Sequence, residues 1–123
     1  MEKQTRLLVV DDEWEKMGLK CLIDSMLEDD FYDIDYANSA AQAKRRLGAQ
    51  EYSIVLSDID MEKRGIGISL AEHIRDTYGI PVVFHSGNDE HRAAVEERGF
   101  EFYDKKDLCS TIERLKELKG GKK

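Results

Sequence analysis

Two aliphatic runs in this 123-residue chain each lead into a group of acids. Residues 7–10 are followed by acids at 11–13, and residues 54–57 are followed by Asp58 and Asp60. Short aliphatic runs of this kind are typical of strands that are buried on both faces of a parallel sheet. Two such strand ends would place the acids in one cluster, where each carboxylate raises the pKa of the next. The cluster therefore predicts a bound divalent cation.

The donor type favours Mg²⁺ as that cation, with Mn²⁺ as the alternative. Both ions accept oxygen ligands, and Mg²⁺ keeps water molecules that a substrate oxygen can replace. The sequence has no cluster of thiols or imidazoles at the spacing that would indicate zinc. Ser86 follows a fourth apolar run and Lys105 follows a fifth. A metal, a lysine and a hydroxyl around one aspartate form a phosphoryl-transfer site in which that aspartate is the nucleophile.

Strand-like and helix-like segments alternate five times and would position these residues. The predicted strands are 6–10, 33–37, 54–58, 81–85 and 100–103. Five such units with right-handed crossovers predict an α/β fold, namely a doubly wound, five-stranded parallel sheet with helices on both faces. Function in such sheets lies beyond the carboxyl ends of the strands. We therefore expect the acids, the serine and the lysine to meet at one rim.

Apolar spacing predicts a helix after each strand. Asn38 or Ser39 is expected to cap the second helix, Gly79 to end the third, and a mostly charged fourth helix to span 90–98. The residues expected to face the core are Leu19, Leu22, Ile23, Met26 and Leu27 in the first helix, Ala40, Ala43 and Leu47 in the second, Leu70 and Ile74 in the third, and Leu108, Ile112 and Leu115 in the last.

Length and composition predict one compact domain at 6–119, with an N-terminal tail at 1–5 and a flexible C-terminal tail at 120–123. The net charge of −7 argues against a nucleic acid or an anionic membrane as the main partner. Cys21 and Cys109 have no companion at metal-ligand spacing and are interpreted as structural thiols in a reducing compartment. The N-terminal residues contain no apolar stretch, so a cytoplasmic location is expected.

Four motifs resemble the receiver domain of response regulators in two-component signalling, over nearly the whole chain. They are LLVVDDE at 7–13, IVLSDIDM at 54–61, PVVFHSG at 81–87 and FYDK at 102–105, in the order and spacing of that family. The resemblance implies a flavodoxin-like sheet with strand order 2-1-3-4-5. It also implies a signalling domain that catalyses only its own phosphorylation and dephosphorylation.

The resemblance also assigns roles to the acids. Asp58 would be the phosphoacceptor. Asp12 would bind Mg²⁺ directly and Asp11 partly through water, while Asp58 and the main-chain carbonyl of Asp60 would complete the protein's share of the ligands. Lys105 would pair with the phosphoryl group.

A switch and its partners follow from the same resemblance. Ser86 would move toward the phosphoryl group, and Phe102 would turn into the space that the serine vacates. Asp60 and Asn88 would flank the phosphoryl group and influence its rate of hydrolysis. The implied partners are a sensor histidine kinase or a histidine phosphotransfer protein, and a downstream effector protein. The domain would be a monomer or a phosphorylation-dependent dimer, and it would work alone or as part of a longer chain.

Two positions depart from the family pattern. Glu62 stands where a proline usually follows the phosphoacceptor strand, so the shape of the next loop is open. Lys106 stands where a proline usually follows the lysine. Lys105 is preferred as the functional lysine because it keeps Phe102 in register, and Lys106 with Tyr103 is the alternative pair.

Other functions could use some of the same residues. A haloacid-dehalogenase-like phosphatase would use Asp58 and Asp60 as nucleophile and acid, but its motif belongs on the first strand. A degenerate receiver that acts only as a binding module is a second alternative. A flavodoxin-like electron carrier is excluded by the acidic loop at 11–16, and an EF-hand is excluded because Lys63 stands where glycine is needed. His85 is interpreted as a packing residue at a strand end.

Overall fold

A computed structural model describes residues 6–14, 18–29, 31, 33–61, 63 and 65–119 of the chain. Its five strands are β1 (Arg6–Val10), β2 (Asp33–Ala37), β3 (Ile54–Ser57), β4 (Val82–Ser86) and β5 (Glu101–Asp104). Its helices are α1 (Leu19–Leu27), α2 (Ala40–Ala49), α3 (Ile66–Tyr78), α4 (Arg92–Glu97) and α5 (Leu108–Lys119), and a 3-10 helix, Asp89–His91, precedes α4. The predicted tails at 1–5 and 120–123 lie outside the described residues.

All pairings between the described strands are parallel, and the sheet has the order β2-β1-β3-β4-β5. The predicted fold class and strand order are therefore confirmed. Val10 is paired with Ala37 on one side and with Ser57 on the other, while Ser86 is paired with Asp104. Because these last residues are in register, the strands end at a common rim.

Side chains on the two faces of the sheet enter two separate apolar clusters. Leu8 and Val10 of β1 pack with buried residues of α2 and α3, whereas Leu7 and Val9 pack with buried residues of α1 and α5. This alternation follows from the two-residue period of a strand. It confirms that β1 is buried on both faces, as the aliphatic run predicted.

Helix α1 differs from the prediction of a broad apolar stripe. Ile23 and Leu27 are fully buried, but Leu22 is 50% exposed and Met26 is 36% exposed. Residues 23 and 27 are one turn apart on the side that meets the sheet, whereas residues 22 and 26 lie on the adjacent side of the helix. The prediction that Leu22 and Met26 enter the core is therefore wrong.

Both cysteines also differ from their interpretation as structural residues. Cys21 and Cys109 are free thiols with exposed side chains, so neither contributes to the apolar core. Cys21 lies in α1 and Cys109 in α5. Among the described helices, none combines the length and apolarity that crossing a membrane requires.

Local signals place most helix ends. Ser39 caps α2 through its side chain, which accepts a hydrogen bond from the Gln42 N–H at 3.1 Å. Gly79 ends α3 with a φ of 67°, and its N–H donates to the carbonyls of Ile74 and Arg75. The predicted fourth helix is shorter than expected because Asn88 first starts the 3-10 helix, and α4 begins only at Arg92.

Candidate functional site

Two aspartates stand at the rim in positions set by the sheet. The Asp11 N–H donates to the Ala37 carbonyl at 3.0 Å, and the Asp58 N–H donates to the Val10 carbonyl at 2.8 Å. Each aspartate is the first residue after its strand, yet each is still held by the neighbouring strand. Both side chains are buried. The sheet thus brings together two carboxylates that are far apart in the sequence.

Lys105 reaches both carboxylates from β5. Its N–H donates to the Ser86 carbonyl at 3.0 Å, which continues the pairing of β4 with β5. Its Nζ lies 2.9 Å from Asp11 Oδ2 and 3.2 Å from Asp58 Oδ2. Burial on its own would lower the pKa of Lys105, but the two carboxylates outweigh it and raise that pKa. The lysine is therefore charged and partly neutralises the acids.

Three consecutive acids lie on the outer side of this pair. Carboxylate oxygens of Asp11, Asp12 and Glu13 lie within 4.8 Å of one another, and Asp12 and Glu13 are exposed. Burial, followed by the charges of Asp11 and Glu13, raises the pKa of Asp12. Asp11 Oδ2 is fully buried, with Lys105 Nζ at 2.9 Å and His85 Nε2 at 3.3 Å from it. An all-oxygen donor set whose two other members, Asp12 and Glu13, are exposed fits Mg²⁺ or Mn²⁺.

His85 is the residue at this site that the sequence interpretation missed. The imidazole is fully buried, and its Nε2 lies 3.3 Å from Asp11 Oδ2. Burial alone would raise the pKa of Asp11, but His85 first, then Lys105 and the Glu13 N–H, bring it down to about 2. A polar residue within the apolar run of β4 was the signal that could have identified this contact.

Asp58 is held from its own backbone and from α3. Asp58 Oδ1 accepts a hydrogen bond from the Ile59 N–H at 2.8 Å. Burial raises the pKa of Asp58, and Asp11 adds to that effect, while Lys105 and His85 oppose it. Gly67 packs so closely that a Cβ there would lie 2.2 Å from the Asp58 carbonyl oxygen. The first turn of α3 therefore fixes the main chain beneath the carboxylate.

Ser86 is buried at the end of β4, but its hydroxyl is engaged within the following turn. It donates to the Asn88 carbonyl at 3.2 Å and accepts from the Asn88 N–H at 3.1 Å. The Asn88 side chain starts the 3-10 helix, because its Oδ1 accepts from the Glu90 N–H at 2.9 Å. Asn88 is exposed, so its side chain lies outside the buried part of the site.

Phe102 lies on the face of the sheet covered by α2, α3 and α4, and it is buried. The guanidinium carbon of Arg92 lies 4.4 Å from the centre of its ring, within the range of a cation–π contact. In the alternative pair, Lys106 is exposed and the Tyr103 hydroxyl donates to Glu101 Oε1 at 3.1 Å. The geometry therefore places Lys105, rather than Lys106, against the acids.

Asp60 is turned toward the loop that precedes α3. Its Oδ1 accepts a hydrogen bond from the Gly65 N–H and lies 3.1 Å from His91 Nε2. Glu62, the position of the missing proline, lies outside the described residues. The structure thus gathers Asp11, Asp12, Asp58 and Lys105 at the rim, and directs the Asp60 and Asn88 side chains to neighbouring loops.

Comparison with known families agrees with this arrangement. The family described as "Response regulator receiver domain" matches residues 7–111 of the chain. The chain belongs to this family. The receiver domain is 33% identical over 86 residues to the transcriptional regulatory protein CpxR homolog of Haemophilus influenzae. That match covers 70% of this chain and 36% of the relative, so the chain spans about a third of the curated protein's length.

Solved structures share the fold. TrrA from Thermotoga maritima, in complex with Mg²⁺-BeF, is 24% identical with a TM-score of 0.77 over 94% of this chain and 99% of that one. A receiver protein from Pseudomonas putida is 23% identical with a TM-score of 0.77 over 95% and 99% of the two chains. NtrX from Brucella abortus is 25% identical with a TM-score of 0.72 over 96% of this chain and 27% of that one.

Proposed function

We propose that this receiver domain accepts a phosphoryl group on Asp58 from a sensor histidine kinase or a histidine phosphotransfer protein. The observation that carries the proposal is the position of Lys105 Nζ, 3.2 Å from Asp58 Oδ2 at the carboxyl end of a parallel sheet. A buried aspartate beside a fixed cation can present one oxygen to phosphorus while the cation stabilises the charge of the transferring group. Family membership makes this the chemistry to test first.

Transfer requires one bond to form and one to break. An Asp58 carboxylate oxygen bonds to phosphorus, and the bond from phosphorus to the donor's histidine nitrogen breaks. The departing imidazole takes up a proton from water and leaves neutral. The Ile59 N–H at Asp58 Oδ1 fixes the orientation of the carboxylate, so that Oδ2 is the oxygen shared with Lys105. Lys105 then exchanges its contact with the carboxylate for one with a phosphoryl oxygen.

The ligands that would hold Mg²⁺ or Mn²⁺ are Asp11, Asp12, Asp58 and the main-chain carbonyl of Asp60. When bound, the ion supplies positive charge that polarises the phosphoryl oxygens. The buried Asp11 carboxylate and the exposed Asp12 carboxylate support this assignment, since together they form an oxygen donor set at the rim. The Mg²⁺-BeF complex of TrrA is consistent with it.

The response would pass through Ser86 and Phe102. To reach the phosphoryl group, the Ser86 hydroxyl must give up its two contacts with Asn88. Phe102 is held between the core and Arg92, so a movement of the ring would also release that arginine of α4. A downstream effector in the cytoplasm would recognise the altered surface. The receiver itself would be a monomer or a phosphorylation-dependent dimer. Asp60 and Asn88 would influence the rate of hydrolysis.

The test is intact-mass spectrometry after incubation with acetyl phosphate and Mg²⁺. We expect the wild-type domain to gain one phosphoryl group only when the metal is present, and Asp58→Asn to gain none while keeping its fold. Asp76→Asn is the matched control, because Asp76 is an exposed aspartate in the last turn of α3, away from the site, and its variant should label normally.

The other outcomes point elsewhere. Labelling that persists in Asp58→Asn would contradict the assignment of the nucleophile. Steady hydrolysis of acetyl phosphate without any mass gain would indicate a phosphatase or a very short-lived phosphoryl group. If the wild-type domain is not labelled and acetyl phosphate is not hydrolysed, the result would indicate a degenerate receiver that acts only by binding.

A further inference from the structure

The Asp60 carboxylate, two residues after Asp58, is held by two donors. One is the Gly65 N–H, and the other is His91 Nε2, which lies 3.1 Å from Asp60 Oδ1. An ionised carboxylate can only accept hydrogen bonds, so the His91 nitrogen that faces it carries the proton. The contact joins the loop after β3 to the 3-10 helix before α4.

The loop after β3 needs Asp60 in this position. Gly65 precedes α3 with a φ of 75°, and α3 has no side-chain cap at its N-terminus. The Asp60 carboxylate therefore accepts a hydrogen bond from the Gly65 N–H, which has no partner within α3. The His91 ring covers the same glycine, since a Cβ on Gly65 would lie 3.8 Å from His91 Cε1. The imidazole that faces the Asp60 carboxylate thus also stands beside the glycine that donates to it.

His91 is itself placed by the turn after β4. Asn88 accepts from the Glu90 N–H at 2.9 Å and donates to Glu90 Oε1 at 2.7 Å. The other Glu90 oxygen lies 3.9 Å from His91 Nε2. The two side chains that flank the proposed phosphoryl group, Asp60 and Asn88, therefore belong to one set of contacts that passes through His91.

We propose that His91 is a positioning residue that prolongs the life of the phosphoryl group on Asp58 by holding the Asp60 carboxylate against Gly65. The proposal rests on the proposed phosphorylation of Asp58. A carboxylate two residues from the phosphoacceptor, once released, can turn toward the phosphoryl group and accept a proton from an attacking water. While His91 and Gly65 hold it, the carboxylate is directed to the loop instead.

The hydrolysis that His91 restrains is a simple displacement. The oxygen of a water molecule bonds to phosphorus, and the bond between phosphorus and the Asp58 oxygen breaks. Asp58 is regenerated as a carboxylate. One proton of the water passes to Asp60 and from there to solvent or to the inorganic phosphate that leaves. No oxidant, reductant or further reactant is needed.

The first experiment measures the decay of phosphorylated protein after removal of acetyl phosphate, again by intact mass. We expect His91→Ala to decay about 10-fold faster than wild type, below the roughly 10²–10⁴-fold effect of a well-positioned general base. His91→Gln should decay at the wild-type rate, because its side-chain amide can still donate to Asp60. His73→Ala is the matched control, since His73 is an exposed histidine on α3 that contacts Thr77 and Tyr78 instead of the site.

A double variant separates positioning from general loosening of the loop. In Asp60→Asn the group that would accept the proton is absent, so adding His91→Ala to Asp60→Asn should not accelerate decay further. Acceleration that persists in the double variant would overturn the proposal. So would an unchanged or slower decay in His91→Ala, or an equal acceleration in His73→Ala.

A second readout needs neither metal nor phosphate. The Gly65 N–H reports on its hydrogen bond to Asp60, and its protection against hydrogen exchange should fall in His91→Ala but not in His91→Gln or His73→Ala. Unchanged protection of Gly65 in His91→Ala would overturn the proposal. A wild-type domain that is never labelled would overturn the proposed function and this inference together, whereas a labelled domain with unchanged decay in His91→Ala would overturn this inference alone.

Discussion

Lys105 Nζ lies 2.9 Å from Asp11 Oδ2, so a residue that follows the last strand neutralises an acid that follows the first. Asp11 is completely buried, and Asp58 is buried beside it. Two carboxylates of this kind are costly without a cation, because burial and mutual repulsion both oppose their ionisation. In the absence of metal, Lys105 is the charged residue that contacts both of them.

We therefore expect Lys105→Met to lower the free energy of unfolding. The substitution keeps the length of the side chain but leaves Asp11 and Asp58 without their lysine, which should cost about 1–3 kcal/mol. Urea denaturation at neutral pH without metal measures this change. Lys106→Met is the control, since Lys106 is exposed and its replacement should have little effect. Equal losses in the two variants would contradict the assignment of Lys105.

Gly67 is expected to tolerate no side chain. A Cβ at this position would lie 2.2 Å from the Asp58 carbonyl oxygen and 2.7 Å from Ile59 Cα, both of which are backbone atoms that cannot simply rotate away. Gly67→Ala should destabilise the domain by about 1–3 kcal/mol and reduce labelling of Asp58. Thermal denaturation and intact-mass measurements on the same sample test both effects.

Gly48 provides the matched control for that variant. It lies within α2, and a Cβ there meets no atom within 4 Å. Gly48→Ala should therefore stabilise the protein by about 0.5–1 kcal/mol through its higher helix propensity. A similar loss of stability in both glycine variants would show that the close approach of α3 to Asp58 is not the cause.

Stability in acid should depend on Glu101. Three hydrogen bonds from Arg114, together with one from Tyr103, lower the pKa of Glu101 below its ordinary value. A carboxylate with a lowered folded-state pKa contributes stability above its unfolded-state pKa, and this contribution is lost as the pH falls through the folded-state value.

Glu101→Gln should therefore lower the urea concentration at the unfolding midpoint at pH 7. As the pH falls below the ordinary pKa of glutamate, this midpoint should decline less steeply in the variant than in wild type. The pair is partly exposed, so the loss at neutral pH should stay under about 1 kcal/mol. Urea denaturation across the acid range measures it. A urea midpoint that declines equally steeply with falling pH in wild type and Glu101→Gln would refute this prediction.

The two sides of α1 should respond differently to truncation. Ile23 is fully buried, so Ile23→Ala should cost about 2–5 kcal/mol. Leu22 is 50% exposed, and Leu22→Ala should change stability by no more than about 0.5 kcal/mol. Urea denaturation of the two variants compares neighbours on one helix. A large loss of stability in Leu22→Ala would support the broad apolar stripe that the sequence predicted.

The sequence was a good guide to features that depend on the main chain. Strand β1 was predictable because a run of aliphatic residues that ends in acids has few alternatives in a short domain. The approach of Asp11, Asp58 and Lys105 followed from the rule that parallel strands end at one rim. The resemblance to receiver domains supplied the strand order, which is a global property that local patterns do not contain.

Lateral side-chain contacts were not predictable in the same way. Leu22 and Ile23 are adjacent in sequence, and the edge of the buried face runs between them. His85 is interpreted from sequence as a packing residue at a strand end. Its contact with Asp11 was not predictable, because it joins two strands that are not neighbours in the sheet. The contact of His91 with Asp60 depends on a 3-10 helix that apolar spacing does not reveal.

The pairing of β4 with β5 also has a consequence for the order of folding. The Lys105 N–H donates to the Ser86 carbonyl, so the pairing of β5 with β4 holds this lysine at the rim. During synthesis the ribosome releases both buried aspartates long before this lysine, so a nascent chain would bring the acids together with no lysine between them. We expect the pairing of β5 with the edge of the sheet to be the step that relieves this repulsion, which makes it a late event in folding.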